Sequence, residues 1–239
     1  MKLKNLLFAF FSLALSAAAY AATFANGADV GWVSQQESSG YSFYNSSGVK
    51  TDPFVLLKNL QVNAIRLRVW VNPSGGWNDG ADVLYKAKRA AAQGQRIMID
   101  FHYSDSWADP GQQTKPAAWS SHTLAQLNND VYSHTQGILN YLKTNGITVE
   151  WVQVGNEING GMLWPEGKTS SFSNLAGLIN SGYNATKAML ADLLTKTKAL
   201  GSNGLGVFYW EPQAYPGWQG YTMGALDASG KFTIALDPF

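Results

Sequence analysis

Cysteine is absent from the 239 residues, so no disulfide staples the fold and no thiol can serve as nucleophile or ligand. Charge is sparse: only 14% of residues are charged and the net charge is +1. That excludes the basic surface a nucleic-acid partner needs and offers no particular hold on an acidic substrate. Three histidines and no cysteine leave no His/Cys cluster with zinc spacing. Apolar runs long enough to span a bilayer are missing, so no membrane contact is expected. The one sustained apolar run lies at the start, where Lys2 and Lys4 precede Leu6 to Ala18 and the small residues Ala19, Ala21 and Ala22 follow. That layout predicts a secretory signal peptide over residues 1–22, a mature domain over 23–239, and a secreted, extracellular location.

What the chain has in quantity is aromatic side chains, with nine Trp and eleven Tyr. Many sit beside Gly, Pro, Asn and Asp rather than inside apolar runs. Ordinary core and loop packing accounts for some of them. The sharper reading is a set of sugar platforms, since a pyranose ring has apolar C–H faces that stack on aromatic rings and hydroxyls that need planar polar partners. Two glycosylation sequons, Asn45-Ser46-Ser47 and Asn184-Ala185-Thr186, fit a eukaryotic secretory route.

No internal repeat, linker or low-complexity tract follows the signal, and strand-like and helix-like segments alternate. Asn26–Trp32 reads as a first strand. Thr51-Asp52-Pro53 reads as an N-cap with proline in the first turn of a helix running to about Leu60. Val62–Val71 is a strand with Ile65, Leu67 and Val69 on one face and Arg66 and Arg68 on the other. Asn78–Ala92 is helical, Arg96–His102 a strand, Thr123–Thr144 a long helix and Ile147–Gly155 a strand. Helices alternating with apolar strands imply a parallel sheet. Two architectures compete, the (β/α)₈ barrel and the open doubly wound sheet. The absence of a Gly-rich turn after the first strand weakens a dinucleotide-binding version of the latter. Polar and aromatic residues gather just after strand ends, where barrel enzymes keep their sites.

The alternation then stops. Ser173–Leu200 is continuous helix by pattern, and one further strand, Gly206–Trp210, follows. Five strands are thus predicted, against the eight a closed barrel needs. The simplest explanation is an internal deletion near residues 189–191 that joins the fourth helix to the seventh. The predicted fold is a barrel of the TIM type, α/β and incomplete.

Four clusters carry candidate chemistry. In Val152-Gln153-Val154-Gly155-Asn156-Glu157, a strand delivers an Asn-Glu pair to its tip. A carboxylic acid there can protonate a leaving glycosidic oxygen while a neighbouring amide holds the sugar 2-hydroxyl. The alternative is a helix N-cap region, disfavoured by the preceding strand and by the Gly160-Gly161 and Trp164-Pro165 that follow. In Ile99 to Pro110, Asp100 and His102 share one strand face and Asp105, Trp107 and Asp109 lie on the loop beyond. His102 reads as an organiser of a site rather than its acid, and a single His with carboxylates could alternatively hold a metal. Arg66, with Arg68, points to the inner face, either to keep a catalytic carboxylate ionised or to form a structural ion pair with Asp100. Trp210 closes the last strand, as the floor of a sugar site or as a core aromatic.

The stretches NAIRLRVWVNP (63–73), IDFHYSDSWADPG (99–111), VQVGNEINGGMLWP (152–165) and GVFYWEP (206–212), with GADVGW (27–32), resemble the arabinogalactan endo-β-1,4-galactosidases of glycoside hydrolase family 53. The resemblance implies a (β/α)₈ barrel and retaining hydrolysis of β-1,4-galactan; a monomer with no cofactor or metal is expected. It implies Glu157 as general acid/base and Asn156 as ligand of the 2-hydroxyl. Arg66 would support the nucleophile, and Asp100, His102, Asp105, Trp107 and Trp210 would line the cleft. In that family the nucleophile is a glutamate at the tip of the seventh strand. No such strand is predicted here, and Glu211, the one glutamate after residues 189–191, belongs to the eighth-strand motif. Retention needs two carboxyl groups about 5–5.5 Å apart. The sequence therefore predicts lost or severely reduced hydrolysis and exposed strand edges. A non-catalytic galactan-binding protein and an inactive splice or deletion product are the alternative readings.

Overall fold

A computed structural model describes residues 24–199, with side chains through 188. Four parallel strands, β1 (Gly27–Asp29), β2 (Ala64–Val69), β3 (Arg96–Phe101) and β4 (Val149–Val154), lie side by side in sequence order. Residues Leu67, Ile99 and Val152 fall in register across β2 to β4. The helices are α1 (Val33–Ser38), α2 (Pro53–Asn59), α3 (Gly80–Ala92), α4 (Leu124–Thr144) and α5 (Phe172–Ala199). Two two-residue strands, β5 (Gly161–Met162) and β6 (Gly167–Lys168), pair antiparallel beyond β4.

Alternation within the strands divides the sheet into two chemically different faces. Ile65, Leu67, Val69, Ile97, Ile99 and Phe101 are buried under the helices. They meet Val83, Ala87 and Ala90 of α3, Leu127, Val131 and Leu139 of α4, and Leu175 and Leu178 of α5 in one apolar core. The opposite face carries Arg66, Arg68, Asp100 and Gln153. A parallel sheet with helices on one face and polar groups on the other is part of a (β/α)₈ barrel wall, the polar side being the lumen.

Helix starts follow their caps. Asp52 accepts from Phe54 N ahead of Pro53, and Asp79 accepts from Asp82 N. Thr123 and Gln126 form a reciprocal capping box on α4. The long helix expected over 173–200 is found as α5, 28 residues without a break. The expected first strand, Asn26–Trp32, is shortened to Gly27–Asp29: the chain turns at Gly31, and Trp32 caps α1, which sequence patterning missed. Gly31 has no room for a side chain, since a Cβ there would lie 2.4 Å from Arg68 Cζ. The expected strand Gly206–Trp210 and the signal peptide lie outside the described residues.

Candidate active site

Arg66 projects from the middle of β2 into the lumen and reaches groups from three other strands or their tips. Its Nη1 lies 2.5 Å from Asp29 Oδ2 at the end of β1. Its Nη2 lies 2.7 Å from Asp100 Oδ2 on β3 and donates to Gln153 Oε1 of β4 at 3.1 Å and Asn156 Oδ1 at 2.9 Å. A guanidinium is the side chain for this task, being permanently charged and carrying five N–H groups in a fixed plane. The structural ion pair with Asp100 is thus present. It is one part of a hub that also fixes the amide beside Glu157.

Asp100 is fully buried, and His102 Nε2 approaches its Oδ2 at 3.0 Å. The other ring nitrogen, His102 Nδ1, accepts from Trp70 Nε1 and from Ala108 N, both at 3.2 Å. Two N–H donors at Nδ1 place the ring proton on Nε2, facing the carboxylate. His102 thus links the β3 carboxylate to the loop that follows.

The turn after β4 is held from that same loop. Asn156 Nδ2 donates to Ala108 O at 2.7 Å, and Gln113 Nε2 donates to Asn156 O at 2.8 Å. Asn156 is consequently buried with both ends of its amide engaged. Glu157 follows in the left-handed region, φ 48° and ψ 47°, a conformation that costs a non-glycine residue about 1–3 kcal/mol. Gly155 makes the turn possible, with φ +85° and space for a Cβ only 2.7 Å from Ile158 Cγ2. The result is an exposed Glu157 on a turn whose neighbours are locked.

Three tryptophans enclose Arg68. Its Cζ stands 4.3 Å from the Trp107 ring centroid, 5.3 Å from Trp32 and 5.5 Å from Trp70. Burial pulls this guanidinium below its usual pKa, yet an arginine keeps its charge. Nε and Nη2 make no hydrogen bond, and the ring faces take their place as partners. Trp107 meets Trp70, Trp32 and His102 at ring distances of 5.7–5.9 Å and still shows 38% of its surface.

The predicted residues Arg66, Asp100, His102, Trp107, Asn156 and Glu157 therefore converge at the C-terminal end of the sheet. Asp105 does something else: Oδ1 accepts from Asn72 N and Oδ2 from Ala117 N, both at 2.9 Å, so it clasps two loops together. Trp210 lies outside the described residues. Sequence reasoning missed Asp29, Gln153 and Gln113. Asp29 carried a usable signal, a carboxylate at a strand tip. Gln113 carried none, because its role is set by a loop meeting a turn 43 residues away. Among the described residues no group of three or more His, Asp or Glu side chains is placed to hold a metal ion.

A lumen-facing Arg, Asp and His set, with an Asn-Glu turn at the fourth strand tip, belongs to carbohydrate-cleaving barrels as a class. The sequence model of glycosyl hydrolase family 53 matches residues 25–191, and the chain belongs to that family. It is 42% identical over 156 residues to a probable arabinogalactan endo-β-1,4-galactanase A of Aspergillus terreus, covering 65% of this chain and 45% of that one. It is 40% identical over 189 residues to the arabinogalactan endo-β-1,4-galactanase A of Aspergillus niger, covering 79% and 53%. Among solved structures, a fungal β-1,4-galactanase superposes with a TM-score of 0.66 at 39% identity, covering 68% of this chain and 49% of that one. The Ignisphaera aggregans GH53 catalytic domain superposes with a TM-score of 0.67 at 32% identity, covering 82% and 61%. The chain spans about half the length of the curated relatives it matches.

Proposed function

We propose that this chain carries the acid/base half of an endo-β-1,4-galactanase site, binds β-1,4-galactan there, and hydrolyses it poorly or not at all. Glu157 is the proton donor to the leaving glycosidic oxygen, and Asn156 receives the sugar 2-hydroxyl. Trp107 offers an exposed ring for a sugar face. Asp100 and His102 act through Arg66 and the loop they hold, and Asp105 contributes by fixing that loop. Trp210 completes the set as a further ring from outside the described residues. The observation that carries the reading is the strand-borne Asn156-Glu157 turn, locked from below by Arg66 and from the side by Gln113. The relatives are named arabinogalactan endo-β-1,4-galactanases, and that activity supplies the substrate class.

Retention needs a nucleophilic carboxylate opposite the acid. Asp29 and Asp100, at the neighbouring strand tips, are both committed to Arg66. The end of the family match at residue 191, inside the unbroken α5, supports an internal deletion at 189–191. Sequencing the transcript across codons 185–195 tests it: a continuous open frame matching genomic DNA refutes a splicing origin. Binding and turnover separate in one pair of assays. Affinity electrophoresis in β-1,4-galactan should retard the protein, while reducing-sugar release should stay at background. Release at an ordinary galactanase rate would overturn the missing-nucleophile reading, and unretarded migration would overturn the substrate.

Secretion is part of the same proposal. Among the described residues no helix is long and apolar enough to cross a membrane. N-terminal sequencing of protein from culture medium should begin near Thr23, and a start at Met1 would refute cleavage. The protein acts as a monomer without cofactor, which gel filtration with light scattering checks.

A further inference from the structure

A second groove, of about 560 Å³, lies on the helix-covered side of the sheet between α3 and the loop that joins α1 to α2. None of its lining residues belongs to the cluster around Arg66. Its centre is Arg89, which makes two 2.7 Å bonds to the Glu37 carboxylate, a 3.0 Å bond from Nε to Asp52 Oδ2, and a 3.1 Å bond to the Tyr85 hydroxyl. The guanidinium also stands over the Tyr85 ring at 5.0 Å, so that ring is fixed from two directions. Tyr85 nevertheless exposes 51% of its surface, and Tyr41 across the groove exposes 68%.

The loop is built rather than loose. Asn45 Oδ1 accepts from Ser47 N and Val49 N, and Thr51 N donates to Phe43 O at 2.9 Å. The ion pairs alone pin α1 and α2 to α3. They do not require two exposed tyrosines facing an open, polar-lined groove.

We propose that this groove is a second carbohydrate site, holding a neutral stretch of the same polysaccharide outside the cleft; it rests on the reading of galactan as substrate. The chemistry matches a pyranose on each count. Tyr41 and Tyr85 line the groove with exposed aromatic rings for its C–H faces. Glu37 and Asp52 keep lone pairs for hydroxyl donors, since their side chains remain 28% and 39% exposed. The Tyr85 hydroxyl accepts from Arg89 and so keeps its own proton to donate. Lys50 adds a further donor at the rim. Glu37, Asp52 and the Tyr85 hydroxyl are pre-set by Arg89, which lowers the ordering cost of binding.

The test is affinity electrophoresis of the whole chain in β-1,4-galactan, comparing the parent with Tyr41→Ala/Tyr85→Ala, with Trp107→Ala in the cleft, and with Tyr85→Phe. Both tyrosines are exposed, and thermal melts confirm that the variants fold. The double variant should bind about tenfold more weakly, the loss expected from two stacked apolar faces. Tyr85→Phe should fall between it and the parent. Retardation of the double variant equal to the parent, with loss only in Trp107→Ala, overturns the groove and leaves the cleft reading intact. Loss only in the tyrosine variant supports the groove and overturns the cleft. A parent that is not retarded overturns both.

Discussion

Replacing Arg66 with methionine should cost the fold about 3 kcal/mol, and the structure says where that comes from. Arg66 spans the sheet from β1 to β4 through Asp29, Asp100, Gln153 and Asn156. Its pair with Asp29 is partly exposed, at 29% and 33%, and by itself is worth no more than about 1 kcal/mol. The Asp100 carboxylate is different, because it is 0% exposed and has only the His102 ring within ion-pair reach once Arg66 is gone. Removing one partner of a fully buried pair costs about 3–5 kcal/mol. Since Arg66 itself is 29% exposed, the loss at Asp100 is discounted to about 1.5 kcal/mol, and two lost amide contacts at about 0.5–1 kcal/mol each bring the sum to about 3 kcal/mol. For a chain of this size that is a fall in melting temperature of about 6–12 °C. Urea unfolding at pH 7 measures it, with Asp100→Asn and the double variant completing a cycle. The double variant should recover about half the loss, because no stranded charge remains. A single variant within 0.5 kcal/mol of the parent (about the limit for a bland surface change), or no recovery in the double, would refute the hub.

Two smaller predictions follow from the same geometry. Gly155→Ala places a methyl 2.7 Å from Ile158 Cγ2 at φ +85° and should destabilise by about 2–3 kcal/mol while weakening galactan retention; thermal melts and affinity gels read the two effects. His134 packs among Phe101, Tyr103 and Trp119, and burial pulls its pKa from 6.5 down to about 4. The unfolded chain therefore binds its proton first, so stability falls as pH drops from 6.5 to 4, by on the order of 2–3 kcal/mol, and is constant above that window. His134→Phe should flatten this slope in urea titrations at pH 4, 5 and 7, and an unchanged slope would assign it to other groups.

How far the sequence reached depended on whether a feature was local. Strand alternation in Ala64–Val69 and Arg96–Phe101, and the caps at Asp52, Asp79 and Thr123, are set by neighbours in the chain, so their elements were readable to within a few residues. The period of two likewise put Asp100 and His102 on one face, which the 3.0 Å contact at Asp100 reflects. The first strand was overextended because GADVGW looks uniformly strand-like, whereas the chain leaves the sheet at a turn closed by Val33 N donating to Val30 O. Gln113, Gln153 and the tryptophan enclosure of Arg68 were invisible, each being a contact between segments far apart in sequence. Asp105 shows the converse limit. Its place in a motif suggested a cleft residue, and the motif gave no hint that its oxygens accept from backbone N–H groups of two loops.

We propose that Glu157 acts as a lone acid, and covalent trapping tests directly whether a nucleophile stands opposite it. A retaining galactosidase incubated with an activated 2-deoxy-2-fluoro-β-galactobioside accumulates a glycosyl-enzyme adduct on its nucleophile. Intact-mass spectrometry of this chain after such treatment should return the unmodified mass. A one-to-one adduct, mapped by peptide sequencing to any aspartate or glutamate and lost on heat denaturation before labelling, would contradict the account.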